Sequence, residues 1–377
     1  MLDFLNIATL IGAVQGLFFG VVLLGLSKGN RLANRMLALF LIIFSISMVG
    51  AVAYVSRWIL KIPQFGLIHA PFAAIISAPF LLYILAQTRK RFRLRIWHAA
   101  LFLPFLVTLV LEIPFYRLSP VEKYEYLLAS YSGFPASWKT GFVFSAVFNF
   151  ICLLAAWLIV LRHERVIREV YSNTENKTLL WTRHFLYAGI ATFLLCIAVS
   201  FFDVALADPV SNFLFSIIIY VFGYRALRQP EIFGDVSAES LPETETLPLV
   251  HRPGKYEKSG LPESKAREWL DKMDQLMTEE KLYLDPLFNL QQLAGRLHLT
   301  PHRVSQLLNQ FRGESFSDYV NRFRVGHFKR AVIDPGNAHL SLLAIAFDSG
   351  FNSKAAFNAV FKKMTGMTPS EFKDREG

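Results

Sequence analysis

The chain has 377 residues, 53% of them hydrophobic and only 18% charged, with a net charge of +10 and two cysteines. Its length exceeds one compact core of ~100–200 residues, and an apolar share above the usual ~45–50% excludes a disordered chain. Cys152 and Cys196 both lie in apolar runs, which excludes a disulfide scaffold and a CxxC zinc site.

The charge is unevenly distributed. Residues 1–230 carry 20 Lys/Arg and 9 Asp/Glu, residues 231–280 carry 6 and 12, and residues 281–377 carry 13 and 8. A membrane-like first part is therefore followed by an acidic connector and a basic tail. Seven apolar runs fill the first part: Phe4–Leu26, Met36–Val55, Phe65–Ala86, Ile96–Tyr116, Gly141–Leu161, His184–Phe202 and Pro209–Tyr224. A helix of about 20 apolar residues crosses a hydrocarbon core, so the pattern predicts seven transmembrane helices. The first run has no basic region before it and no small-residue cleavage site, so it is expected to remain as the first span. With the N-terminus outside, the inside loops hold 15 Lys/Arg and the outside loops 5. The positive-inside rule then places the tail in the cytoplasm and the chain in the inner membrane.

Residues 229–260, broken by Pro230, Pro242, Pro248 and Pro253, read as a flexible acidic linker. A helical period returns at Ala266, Trp269, Leu270, Met273, Leu276 and Met277; such a helix packs on its own domain or dimerises through its seam. Beyond it, Leu290, Leu293, Ala294 and Leu297 form one apolar stripe. Thr300-Pro301 then starts a helix that buries Val304, Leu307, Leu308 and Phe311. Its opposite face presents His302, Gln306 and Asn309, flanked by Arg303 and Ser305, with no acid between Thr300 and Arg312. Amide side chains pair with the adenine edge and arginine with guanine. A longer helix from Phe316 to Val332 is expected to hold Arg322, Arg324, Lys329 and Arg330 outside, and Asp334-Pro335-Gly336-Asn337 ends it. A second short unit follows, whose last helix buries Phe357, Val360 and Phe361 and exposes Ala355, Asn358, Ala359 and Lys362.

The tail resembles the DNA-binding domain of AraC-type transcription regulators. The resemblance rests on Ile345-Ala346-Phe347-Asp348-Ser349-Gly350-Phe351-Asn352-Ser353, then Phe357, Phe361-Lys362-Lys363, Gly366, Met367-Thr368-Pro369-Ser370 and Phe372, with Leu293-Ala294 and Arg324 upstream. It covers roughly residues 265–375 and implies two helix-turn-helix units joined by a long helix, with both recognition helices in the major groove. By position, it implies base contacts from His302, Ser305, Gln306, Lys354 and Ala355. The exposed faces add Arg303, Asn309 and Asn358 to these. Arg312, Lys362 and Lys363 are the candidate phosphate contacts.

In the membrane half, His69, Glu112, Asn149, Asp203 and Asn212 fall in the outer third of their runs. Ionisable groups there are costly to bury in lipid and mark candidate sites, so these five are a candidate sensing pocket, with helix termination the plainer reading for Glu112 and Asp203. The expected fold is all-α: a seven-helix transmembrane bundle over 1–228, the linker 229–260, and a cytoplasmic double helix-turn-helix domain over 261–377. The expected function is a membrane-embedded one-component transcription regulator bound to promoter DNA and the lipid bilayer. A small-molecule signal and a homodimer are further expected partners, and the family resemblance implies RNA polymerase. The alternatives are a seven-helix receptor or transporter whose tail docks a partner, and a membrane half that is only an anchor. No metal, cofactor or catalytic constellation is expected.

Overall fold

The computed structural model of the chain describes residues 2–26, 30–89, 92–133, 136–173, 180–200, 207–227 and 263–376. Regular structure among them is helical, apart from one isolated bridge between Tyr171 and Asn289. The chain forms two compact units, Met1–Leu161 with Leu179–Gly234, and Arg162–Thr178 with Asp235–Gly377. The expected linker lies outside the described residues, and the described residues 162–173, expected in the first part, belong with the tail.

The first unit contains α1 (Leu2–Gly25), α2 (Arg31–Val55), α3 (Ala70–Ala74), α4 (Ser77–Thr88), α5 (Leu103–Tyr116), α6 (Pro120–Ser130), most of α7 (Ala136–Val170), α8 (Leu180–Ser200) and α9 (Ala207–Leu227). Five described stretches are long and apolar enough to cross a membrane: Phe4–Gly25, Arg31–Val55, Pro63–Thr88, Ile96–Tyr116 and Thr140–Val170. Seven were expected. The sixth run ends outside the described residues, and in the seventh the described apolar stretch, Asn212–Val221, is short.

Small residues let α1 approach its neighbours closely. Gly12, Gly16 and Gly20 recur every fourth residue, and a Cβ on them would stand 2.5 Å from Ser216 Cβ, 2.4 Å from Ser45 Oγ and 2.8 Å from Ile42 Cγ1 respectively. Close backbone approach of this kind is how helices pack where no water drives them together. The other face of α1 leaves Phe4, Ile7, Ile11, Val14, Phe18 and Val21 exposed, and α5 and α7 carry similar uncovered apolar faces. Asn30 caps α2 through Leu32 N and Ala33 N, and its Nδ2 donates to Ala86 O at the end of α4 at 2.7 Å.

The third run is not one helix. Short 3-10 turns lead into α3, which stops before α4 begins. The break frees backbone groups that must find partners, and Asn149 on α7 supplies them. Its Nδ2 donates to Ala73 O at 3.1 Å and Ala74 O at 3.3 Å, and its Oδ1 accepts from Ser77 N at 2.8 Å. The helix α6, expected as loop, starts at a Ser119–Glu122 capping box.

The second unit holds α10 (Glu263–Glu279), α11 (Leu290–Arg296), α12 (Pro301–Leu307), α13 (Phe316–Ile333), α14 (Leu342–Asp348), α15 (Lys354–Thr365) and α16 (Pro369–Glu376). Its first core joins Ala266, Leu270, Met273 and Met277 of α10 to Leu293, Val304, Leu307, Phe316 and Tyr319, so the apolar seam of α10 is filled by its own domain. The second core joins Val325, Phe328 and Val332 to Ile345, Ala346, Phe357 and Phe361. One long helix, α13, thus serves both cores, its first half in one and its second half in the other.

Replacing Gly16 with leucine should overpack α1 against α2 at a cost of about 1–3 kcal/mol, read as a lower thermal unfolding midpoint in detergent micelles. Val14→Leu, on the uncovered face, should leave the midpoint unchanged.

Candidate nucleic-acid interface

Both short units of the tail start their second helix in the same way. Thr300 caps α12 by accepting from Arg303 N at 3.3 Å, with Pro301 at the first helical position. Ser353 caps α15 by accepting from Ala356 N at 3.1 Å. These caps satisfy amides that a helix start leaves without partners. The turn before α15 needs Gly350, whose φ is +91°; a Cβ there would meet Tyr283 O at 2.2 Å. After Leu307 the first helix widens into a π turn over Leu308–Arg312 and stops at Gly313, with φ of +67°.

In the second short unit, α15 exposes the side chains expected outward. Phe357 and Phe361 point into the core, while Lys354, Ala355, Asn358, Lys362 and Lys363 are exposed. Lys363 also donates to Asp318 Oδ1 at 2.6 Å. The helix contains no acidic residue.

In the first short unit, α12 departs from its expected exposure. His302 is exposed, and Arg303, Ser305 and Asn309 are half-buried. Gln306, expected outward, is only 1% exposed; its Nε2 donates to Gln310 Oε1 at 3.0 Å and its Oε1 accepts from Arg303 Nη1 at 3.2 Å. Its neighbours Ser305 and Asn309 are met from upstream, where Glu169 Oε2 accepts from Asn309 Nδ2 at 2.9 Å and from Ser305 Oγ at 3.3 Å.

Two arginines expected at the surface do other work. Arg312 clamps α10, its Nη1 donating to Asp274 Oδ1 at 2.9 Å and its Nη2 to Asp274 Oδ2 at 2.5 Å. Tyr319 donates to the same carboxylate at 3.0 Å. The Asp274 pairing raises the Arg312 pKa, and burial with the Asp274 charge raises that of Tyr319. Arg324, expected outside, is 1% exposed, and its Nε donates to Tyr283 O at 2.7 Å.

Among the candidate sensing residues, Asn149 is occupied by the α3–α4 break. His69 stands at the N-cap position of α3 without a side-chain capping bond and lies against α2, where a Cβ on Gly50 would come within 2.2 Å of its Cγ. Glu112 on α5 accepts from Tyr116 Oη at 3.4 Å. Asn212 is half-buried on α9, and Asp203 lies outside the described residues. No hydrogen bond among the described residues joins His69, Glu112, Asn149 and Asn212 to one another.

A family model described as a helix-turn-helix domain matches residues 293–375. The chain is 38% identical over 81 residues to the uncharacterized transcriptional regulatory protein YesN of Bacillus subtilis, covering 22% of each chain. It is 32% identical over 85 residues to the HTH-type transcriptional regulator GlxA of Rhizobium meliloti, covering 22% of this chain and 24% of the relative. It is 29% identical over 105 residues to the HTH-type transcriptional activator RhaR of Yersinia pseudotuberculosis, covering 28% and 35%. The matches therefore span about a fifth to a third of the length of these relatives.

His327 on α13 faces Ser349 Oγ at 3.1 Å. Burial first, then Arg330 and Lys281, hold its pKa below the usual histidine value, against a smaller opposite pull from Asp348. The folded state therefore favours the neutral ring. As pH falls below about 6.5 the unfolded chain takes up this proton first, so stability drops until the folded pKa is passed. Hydrogen-exchange protection of α14 should fall between pH 7 and pH 5, and His327→Gln should flatten that dependence.

Proposed function

Residues 263–376 contain an AraC-type helix-turn-helix domain, and from that premise we propose that the chain is a membrane-embedded transcription regulator. It binds promoter DNA in a sequence-specific way through α15 and α12. The observation that carries the reading is the acid-free face of α15, where Lys354, Ala355, Asn358 and Lys362 stand exposed on a helix fixed by Phe357 and Phe361. Lysines on such a face neutralise phosphate, and an amide flanked by methyl groups reads base edges. Arg303, His302 and Ser305 contribute from α12, and Asn309 from the π turn that follows it.

Membrane embedding is supported by five long apolar helical stretches among the described residues and by the uncovered apolar faces of α1, α5 and α7, which lipid would cover. Orientation is supported by two independent features. The Lys/Arg asymmetry puts the loop after α7 inside. The residues that follow the apolar part of α7 also belong to the same compact unit as the helix-turn-helix domain. The N-terminus is then outside, and the tail is in the cytoplasm of a cell whose inner membrane holds the rest. In the sensing role, His69, Glu112, Asp203 and Asn212 remain the candidates to meet a small-molecule signal. Asn149 favours the anchor alternative, because its amide is engaged in holding a broken helix. RNA polymerase as partner follows from the family reading, whereas the α10 seam that suggested a homodimer is filled by its own domain.

The test uses the full chain in lipid nanodiscs and duplex DNA across a salt series. Lys362→Ala should weaken every sequence alike and lower the log–log salt slope by about 1. Asn358→Ala should cost about 1–3 kcal/mol on the preferred sequence and little on random DNA. Equal loss for Asn358→Ala on both DNAs would remove α15 as a base reader. A cytoplasm-dependent reporter should be active when fused after Gly377 and silent when fused after Asp208; the reverse pattern would exclude chromosomal DNA as the ligand.

A further inference from the structure

The helix α7 is longer than a membrane crossing requires. Its 35 residues extend about 52 Å at 1.5 Å per residue, against a hydrocarbon core of about 30 Å. The excess, Arg162–Val170, carries the sequence Arg-His-Glu-Arg-Val-Ile-Arg-Glu-Val and belongs to the helix-turn-helix unit. A solvated helical end of that composition would expose its side chains. Here Ile167, Val170, Tyr171 and Ser172 are each 5% exposed or less, and Glu169 is 8% exposed.

The seat is specific at its far end. Ser172 Oγ donates to Phe288 O at 2.5 Å, Ser317 Oγ donates to Ser172 O at 3.3 Å, and Arg324 Nη2 donates to Ser172 Oγ at 3.1 Å. Tyr171 forms the isolated bridge with Asn289, the residue that caps α11. One turn back along α7, Glu169 accepts from Ser305 and Asn309. Those two residues lie four apart on the DNA-facing side of the first recognition helix. That helix has no acid of its own between Thr300 and Arg312, so the carboxylate on its reading face is supplied by α7. It occupies polar groups that would otherwise meet bases, and its negative charge repels phosphate.

We propose that the end of α7 is a built-in inhibitor of the first helix-turn-helix unit, holding Ser305 and Asn309 through Glu169 until movement of α7 withdraws it. The proposal rests on the DNA-binding reading above. It supplies a direct mechanical route from a transmembrane helix to a recognition helix, independent of the acidic linker. In the seated state only α15 is open to DNA; in the withdrawn state both units engage.

The experiment uses the full chain in lipid nanodiscs and a fluorescent random-sequence 40-bp duplex pool, read by anisotropy at fixed salt. Glu169→Ala should bind about tenfold more tightly than the wild type, within the usual 5–150-fold range of coupling between sites. As a variant that does not depend on tolerance of that substitution, Glu169→Cys with Asn309→Cys is joined by a reducible thiol crosslinker in a chain whose Cys152 and Cys196 are replaced by alanine. The joined form should bind about tenfold more weakly than the same protein after the link is cleaved. Unchanged binding in both comparisons, with clear wild-type binding, would overturn the inhibitor and leave the DNA-binding reading standing. If neither wild type nor variants bind more tightly than a Lys354→Glu, Lys362→Glu control, the DNA-binding reading falls and takes the inhibitor with it.

Discussion

The tail depends on one buried guanidinium. Arg324 sits in the middle of α13, at the point where the helix passes from the first core to the second, and is 1% exposed. Its Nε donates to Tyr283 O at 2.7 Å and its Nη2 to Asp285 O at 2.9 Å, while its charge lies 5.9 Å from the centre of the Phe351 ring. Burial lowers its pKa to about 10, which still leaves it charged at neutral pH. An isolated buried charge is costly unless its donors are all used, so this arginine fixes several segments at once. It holds the turn between α10 and α11, the Gly350 turn of the second unit, and Ser172 at the end of α7. Gly350 has no Cβ because Tyr283 O and Arg324 Nε occupy that space.

This arrangement links the recognition helices to one another. The first core positions α12 and the second positions α15, and α13 fixes the two cores on one rod. Asp274 adds a second tie, gripping Arg312 with two hydrogen bonds and accepting from Tyr319, so α10 is part of the domain's frame. The same carboxylate takes Arg312 away from the phosphate role that its place after the recognition helix suggests.

Local chemistry made much of the tail legible before any coordinates. Thr300-Pro301 and Ser353 start helices because their side chains meet orphan amides, and the Phe357/Phe361 spacing marks the buried side of α15. What stayed hidden was set by distant partners. Ser305 and Asn309 have the composition of exposed readers, but Glu169, more than 130 positions upstream, accepts from both. Arg324 fits a surface pattern by period, and its acceptors are carbonyls that no sequence pattern displays. In the first unit, hydropathy finds apolar runs and misses the α3–α4 break, because Asn149 repairs it from another helix. The Gly12, Gly16, Gly20 stripe was a readable signal of close packing, visible as a four-residue repeat of small residues.

The central claim is that a chain held in the membrane places α15 on chromosomal DNA. Its most direct test is to crosslink the intact protein to DNA in living cells, isolate the membrane fraction, and sequence the fragments that copurify. The account predicts discrete peaks beside promoters that disappear when Lys354, Asn358 and Lys362 are replaced together by glutamate, with the protein still in the membrane. Fragments spread evenly over the genome, or peaks that survive that triple substitution, would contradict it.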